Sequence, residues 1–81
     1  MINTKILLFG VTKDLLQNAS LEIEIAKNTS VKVLKEQLRI KHPQLNKIDS
    51  YAIAINEAYA DDNATIQKND VIAIIPPVSG G

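Results

Sequence analysis

One segment of the chain has the length and spacing of an amphipathic helix, and short apolar runs flank it on both sides. From Val31 onward, apolar side chains recur at helical spacing through Leu34 and Leu38, with charged residues between them. Ser30 is a good N-cap, and Pro43 ends the helix because the residue before a proline avoids the α region. A single helix of this kind covers one face of a small sheet. The strands must therefore supply the other layer of the core.

Several short segments have the composition of strands. The most apolar runs, residues 5–9 and 71–75, suit neighbouring central strands. Residues 20–25 alternate strictly between apolar and polar side chains and are expected to pair antiparallel with the first run. Residues 51–55 and 58–60 flank a predicted turn. This order predicts an α+β chain of the β-grasp, ubiquitin-like class, with a mixed sheet of four to five strands and one main helix on one face.

Two further details concern the segment after the first strand and the uncovered face of the sheet. Thr12 is the expected cap of one or two helical turns. One helix covers only one face of the sheet. On the other face, Leu7 or Phe9 from the first strand is predicted to form an exposed apolar patch with Tyr59 and Ile75, and we take Phe9 as its member. We interpret this patch as a partner interface. The alternative is that loop residues fold over it, namely Leu15, Leu16 or Ile48.

The sequence ends in Pro76-Pro77-Val78-Ser79-Gly80-Gly81, and we expect the carboxylate of Gly81 to be reactive. Prolines fix φ and cannot donate to a sheet, whereas glycines carry no Cβ and allow close approach to another surface. We therefore predict a domain over residues 1–76 and an extended, flexible, reactive tail over residues 77–81. Within the tail, insertion into a second protein would involve Pro77, Val78, Ser79 and Gly80. The alternative is a frayed terminus without function.

The composition argues against several other functions. Nine basic and nine acidic residues balance without a basic cluster, so no nucleic-acid partner is expected. The chain has no cysteine for a disulfide, a thiolate metal site or a nucleophile, and its aspartates lack the spacing of a calcium loop, so no metal is expected. The only histidine, His42, ends the helix with no predicted carboxylate partner. No signal peptide or membrane-spanning run is recognised, and a cytoplasmic location without membrane contact is expected.

The chain resembles the sulfur-carrying small subunits of molybdopterin synthase, a ubiquitin-like family, over nearly its whole length. A terminal Gly-Gly is shared with ubiquitin and with the thiamine-pathway sulfur carrier, whereas the preceding Pro-Pro-Val-Ser is typical of the molybdenum-cofactor branch. Lys13 and Asp14 stand where arginine and glutamate are more usual, which keeps the charges. The matching segments are residues 6–10 with 13–15, residues 31–38 with His42-Pro43, residues 54–56, and residues 70–81.

The resemblance implies a carrier that is not catalytic alone, within a sulfurtransferase whose catalytic residues lie on the large subunit. An E1-like enzyme would use ATP to adenylate Gly81, and a sulfur donor protein would convert it to a thiocarboxylate. Sulfur would then pass to cyclic pyranopterin monophosphate to form the molybdopterin dithiolene, within a heterotetramer and without a permanently bound cofactor. The alternatives are a thiamine-pathway sulfur carrier, a ubiquitin-like modifier joined through Gly81 to a lysine, and a noncovalent binding module.

Overall fold

The computed structural model describes residues 1–48 and 50–77, which form a mixed sheet and a main helix. The elements in chain order are β1 (Ile2–Leu8), α1 (Val11–Leu16), β2 (Ser20–Ile25), α2 (Val31–Lys41), a 3₁₀ helix (Pro43–Lys47), β3 (Ala52–Ile55), β4 (Ala58–Ala60) and β5 (Ile72–Ile75). The strand order is β2-β1-β5-β3-β4. β1 runs parallel to β5, and the other neighbouring pairs are antiparallel. The predicted β-grasp architecture is confirmed, with the two most apolar strands side by side.

The core lies between α2 and the inner face of the sheet. Val31, Leu34 and Leu38 on α2 have no exposed surface. Burying each such side chain stabilises the fold by about 1.5–3 kcal/mol. Ser30 is the N-cap, since its hydroxyl oxygen accepts a hydrogen bond from the Val33 amide at 3.3 Å. The core residues on the strands are Ile6, Leu8, Ile23, Ile25, Ile53, Ile72 and Ile74.

The start of α1 differs from the prediction that Thr12 caps it. The N-cap residue is Gly10, at φ 56° and ψ −133°, the conformation of the first central residue of a type II′ turn. Because Gly10 reverses the chain there, α1 begins at once with Val11, and Thr12 falls inside its first turn. The buried Thr12 hydroxyl instead donates to the Phe9 carbonyl at 2.6 Å and accepts from the Phe9 amide at 3.2 Å.

The predicted reactive tail begins at the edge of the described structure. β5 ends at Ile75, and Pro76 and Pro77 follow it. Val78, Ser79, Gly80 and Gly81 lie outside the described residues, and the boundary between residues 76 and 77 stays a prediction. No helix within the described ranges combines the length and apolar character needed to cross a membrane.

Candidate functional site: an apolar trough beside the chain exit

A shallow apolar trough crosses the outer face of the sheet, opposite α2. The strand register aligns Leu7, Ala73, Ala54 and Tyr59 in one row across β1, β5, β3 and β4. The two alanines form a low floor because their side chains are short, and the larger Leu7 and Tyr59 rise on either side of it. The trough has a volume of about 310 Å³. Its remaining lining residues are Phe9, Glu57, Val71 and Ile75.

The structure brings the three predicted interface residues together along this trough. Phe9 is 48% exposed, Tyr59 is 77% exposed and Ile75 is half-buried. Such an exposed set of large apolar groups is typical of an interaction surface. The loop residues considered as a cover do not line the trough, and Leu16 packs against the buried core instead. Within residues 1–48 and 50–77 the patch is therefore uncovered, while its role as a partner interface remains a prediction.

The turn between β3 and β4 fixes one end of the trough. Asn56 and Glu57 both adopt positive φ, at 51° and 72°, as both central residues of a type I′ hairpin turn must. The Asn56 amide group donates to Asp70 at 2.9 Å, and its side-chain oxygen accepts from the Val71 amide at 2.9 Å. The Asn56 backbone amide also donates to the Val71 carbonyl at 2.8 Å. These contacts tie the turn to the start of β5 and so place Glu57 and Val71 at this end.

The chain leaves the sheet at the opposite end of the trough. Pro76 is half-buried, and a Cβ added to Gly10 would lie only 3.2 Å from Pro76 Cγ, so the missing side chain of Gly10 allows this close approach. Pro77 is exposed. A second concavity surrounds the exit and is lined by Ser50, Tyr51, Ala52, Tyr59, Ile75, Pro76 and Pro77. The predicted tail therefore starts beside Ile75, one of the predicted interface residues.

A partly exposed polar cluster lies beside α2. The Lys35 ammonium lies 3.3 Å from the Asp62 carboxylate and 5.8 Å from the centre of the Tyr51 ring. Burial raises the pKa of the Tyr51 phenol above its ordinary value. No group of three or more His, Asp or Glu residues in the described part of the chain is placed to hold a metal ion. The trough and the chain exit are thus the features that point to a function.

Sequence reasoning missed the floor and one end of the trough. The alternation in the last strand already put Val71, Ala73 and Ile75 on the outer side. It could not show that Ala54 lies beside Ala73, because that depends on strand register. The contact between Gly10 and Pro76 was also missed, and its only signal was a glycine immediately after an apolar strand.

The family of the chain follows from comparison with known sequences. The model described as the ThiS family matches residues 6–81. The chain belongs to the ThiS family. The molybdopterin synthase sulfur carrier subunit of Arabidopsis thaliana is 33% identical to this ThiS-family chain over 81 residues, which cover 99% of the chain and 84% of that protein. The resemblance noted in the sequence is therefore confirmed.

Solved structures of similar proteins support the same fold for this ThiS-family chain. Subunit 1 and subunit 2 of the molybdopterin-converting factor from Helicobacter pylori form a protein–protein complex. The matching chain of that complex is 26% identical, with a TM-score of 0.69 and coverage of 99% of this chain and 100% of that one. Small archaeal modifier protein 1 from Methanosarcina acetivorans is 25% identical, with a TM-score of 0.74 and coverage of 100% and 98%.

Proposed function

We propose that this chain is the sulfur carrier subunit of molybdopterin synthase and that its sulfur is carried on the terminal carbonyl of Gly81. The main support is the Arabidopsis thaliana sulfur carrier subunit, which aligns over 99% of the chain. In this proposal an E1-like enzyme uses ATP to adenylate the Gly81 carboxylate. A donor protein then supplies sulfur at the sulfide level, which attacks the acyl-adenylate carbonyl, displaces AMP and leaves a thiocarboxylate.

The thiocarboxylate sulfur serves as the nucleophile in the next step of the proposal. Sulfur is more nucleophilic than a carboxylate oxygen, so it attacks cyclic pyranopterin monophosphate, and two deliveries give the dithiolene. Each attack forms a thioester between the Gly81 carbonyl and the pterin. Water then cleaves the acyl C–S bond, so that sulfur stays on the pterin and Gly81 is left as a carboxylate that must be adenylated again. The acid–base groups come from the large subunit in a cytoplasmic heterotetramer. The chain itself contributes the carrier atom and the surface that docks it.

The apolar trough is the proposed docking surface for the large subunit and for the activating enzyme. It supports this role because it ends beside Ile75, where the tail starts, so a partner bound there also reaches the tail. The Helicobacter pylori relative was solved as a complex of subunits 1 and 2. Glu57 is the one carboxylate among the described residues that line the trough, which favours a basic group on an otherwise apolar partner surface.

The length of the tail provides the decisive test of the proposed carrier. Deleting Gly81 withdraws the terminal carbonyl by roughly 3.3–3.6 Å, and a misplacement of about 1 Å can already cost about a hundredfold in rate. We expect the deletion to fold normally and to form no molybdopterin. Adding a glycine after Gly81 should also abolish the reaction because the carbonyl is then in a peptide bond. The control adds the same glycine before Met1 and should stay active.

Intact mass after expression with the activating enzyme and sulfur donor separates the alternatives. The proposed carrier exchanges one oxygen for sulfur, a modifier appears joined to a lysine of another protein, and a noncovalent module keeps its mass. A thiamine-pathway carrier gains sulfur but yields no molybdopterin with the large subunit. If the Gly81 deletion still gains sulfur and supports molybdopterin synthesis at the normal rate, the proposal is wrong.

The docking surface has a separate test with a matched control. Phe9→Ala removes a half-exposed ring from the trough and should weaken binding to both partners by about 5- to 30-fold, the effect of losing roughly 1–2 kcal/mol at an interface. Ile40→Ala removes a side chain that is 74% exposed on α2, on the other side of the sheet, and should leave both affinities unchanged. Equal effects of the two variants in a binding titration would contradict the assignment.

A further inference from the structure

We propose that the turn from Phe9 to Thr12 positions the reactive tail relative to the docking trough, with Gly10 and Thr12 as positioning residues. The inference rests on the proposed function, because it concerns delivery of the Gly81 carbonyl into a partner. One face of this turn carries Phe9 into the trough, and the other contacts Pro76 at the chain exit. The turn therefore contacts both parts that must reach the partner together.

The contact with Pro76 depends on Gly10 in two ways. At φ 56° and ψ −133°, Gly10 has a backbone conformation that strains residues with a side chain. A Cβ there would also approach Pro76 Cγ to 3.2 Å, so Pro76 or the turn would have to move by a few tenths of an ångström. Pro76 has a fixed φ of its own. Two conformationally defined residues thus meet at the point where the chain leaves the sheet.

Thr12 fixes the same turn from inside. Its hydroxyl is fully buried and bonds both the amide and the carbonyl of Phe9, at 3.2 and 2.6 Å. The Thr12 backbone amide also donates to the Phe9 carbonyl at 3.2 Å. These bonds hold the backbone of Phe9, which lines the trough, and of Gly10, which contacts Pro76, in one rigid turn. When a partner binds Phe9, the chain that leaves the sheet at Pro76 therefore has a defined direction relative to that partner.

The direction in which the chain leaves the sheet matters because it determines where the end of the tail lies. From Pro77 to Gly81 an extended chain spans roughly 15–18 Å, so a small rotation at Pro76 displaces the tip by much more than it displaces the root. Misplacement of a reacting atom by about 1 Å can cost about a hundredfold in rate. Disturbing the turn should accordingly reduce sulfur transfer within the complex while leaving the trough able to bind.

The kinetic test uses thiocarboxylated full-length chain and the large subunit in single-turnover conversion of cyclic pyranopterin monophosphate. For Gly10→Ala we expect a rate at saturating large subunit about tenfold below wild type, because the shift at the exit is a fraction of an ångström. The half-saturating concentration should stay within about threefold of wild type, since the trough still binds. Ile66→Val, a buried change on another part of the core, controls for lost stability and should alter neither value.

Two further variants test whether the residues act through one contact. Pro76→Ala should also slow transfer, and combining it with Gly10→Ala should add little further loss, because either change already disrupts the same contact. Thr12→Ser keeps the hydroxyl and should transfer sulfur normally, whereas Thr12→Val should not. Multiplicative losses in the double variant, or a Gly10→Ala rate within twofold of the Ile66→Val control, would overturn the inference. So would a loss confined to the half-saturating concentration.

An NMR measurement decides the geometric part without relying on activity. Nuclear Overhauser contacts between the Gly10 α protons and the Pro76 ring protons are expected in the full-length wild-type chain, and they should weaken in Thr12→Val but persist in Thr12→Ser. Their absence in wild type would overturn the inference even if the protein carries sulfur. An inactive wild-type chain that shows these contacts would instead count against the proposed function alone.

Discussion

Replacing Asn56 with aspartate should destabilise the protein through a single close contact. The Asn56 amide nitrogen donates to Asp70 at 2.9 Å, while its side-chain oxygen accepts from the Val71 amide. Aspartate tolerates the positive φ of this position and can still accept from Val71. It cannot donate to Asp70, however, and Asn56→Asp sets a second carboxylate against the first. The change therefore isolates the contact between positions 56 and 70.

The expected loss follows from the geometry of the two carboxyl groups. A hydrogen bond to a charged group contributes about 1.5–3 kcal/mol, with the lower end appropriate at this exposed turn. Two like charges about 4 Å apart repel by about 1 kcal/mol in water and more at lower dielectric. We therefore expect Asn56→Asp to lower the free energy of unfolding by about 2–3 kcal/mol at neutral pH and low salt, which corresponds to roughly 8–24 °C in Tm for a domain of this size.

The decisive measurement exchanges the side chains of positions 56 and 70. Asp70→Asn alone also loses one bond, because the Asp70 carboxylate accepts from both the Asn56 amide group and the Gln67 backbone amide, and an asparagine has one oxygen for these two donors. In the double variant Asn56→Asp with Asp70→Asn, donor and acceptor are exchanged and the bond can form again. Thermal and urea unfolding followed by circular dichroism should show the double variant more stable than the sum of the single losses by at least about 1 kcal/mol. Purely additive losses would refute this account of the turn.

Two controls separate the contact from general effects of charge. Asn46→Asp adds the same charge on the 3₁₀ helix and should change the unfolding free energy by no more than about 0.5 kcal/mol. In about 1 M salt the Debye length falls to roughly 3 Å, so part of the Asn56→Asp deficit should disappear. A deficit that is independent of salt and equal in both variants would show that repulsion from Asp70 is not its cause.

Two further predictions concern the polar cluster beside α2. Burial raises the pKa of Tyr51 above 10.0, so the phenol ionises at lower pH in the unfolded chain than in the folded one. The stability contributed by the buried neutral phenol is therefore intact below about pH 10 and is lost as the pH rises above it. Tyr51→Phe should therefore reduce the fall in Tm between pH 9 and 11 (roughly one unit either side of the ordinary value), and an unchanged fall would contradict this account. Lys35→Ala should lower the unfolding free energy by less than about 1 kcal/mol, because its ion pair with Asp62 is partly exposed, and sulfur transfer should be unchanged; a large loss of transfer would mean that the functional surface includes α2.

The helix and the strands could be predicted because their signals are local. Ser30 and Pro43 mark the ends of α2 by their own chemistry, and the apolar spacing between them identifies the buried side. The alternation in β1 and β5 likewise separates Ile6 and Ile72 from the outer face. Alternation in the first and last strands places Phe9 and Ile75 on the outer face, and the pairing of β4 with β3 brings Tyr59 to the same trough.

The details of the trough could not be predicted because they depend on pairing between distant strands. A shift of one residue between β3 and β5 would turn Ala54 toward the core and remove the floor of the trough. The Thr12 prediction was wrong for a different reason: Ser, Thr and Asp favour N-caps in general, but the turn at Gly10 starts the helix with an N-cap two residues earlier. The contact of Gly10 with Pro76 joins residues that are far apart in the sequence, so no local sequence pattern predicts it.

The arrangement of the sheet explains how a small domain can present a tail and a docking surface together. The chain exit follows β5, which lies in the middle of the sheet between β1 and β3. A tail leaving a central strand starts between neighbours on both sides, and here Gly10 approaches it from the β1 side while Tyr51 and Tyr59 line the concavity around it. α2 covers the inner face, and none of the described residues covers the outer face up to the point of exit. A partner that docks on that face, as we propose, would therefore also reach the root of the tail.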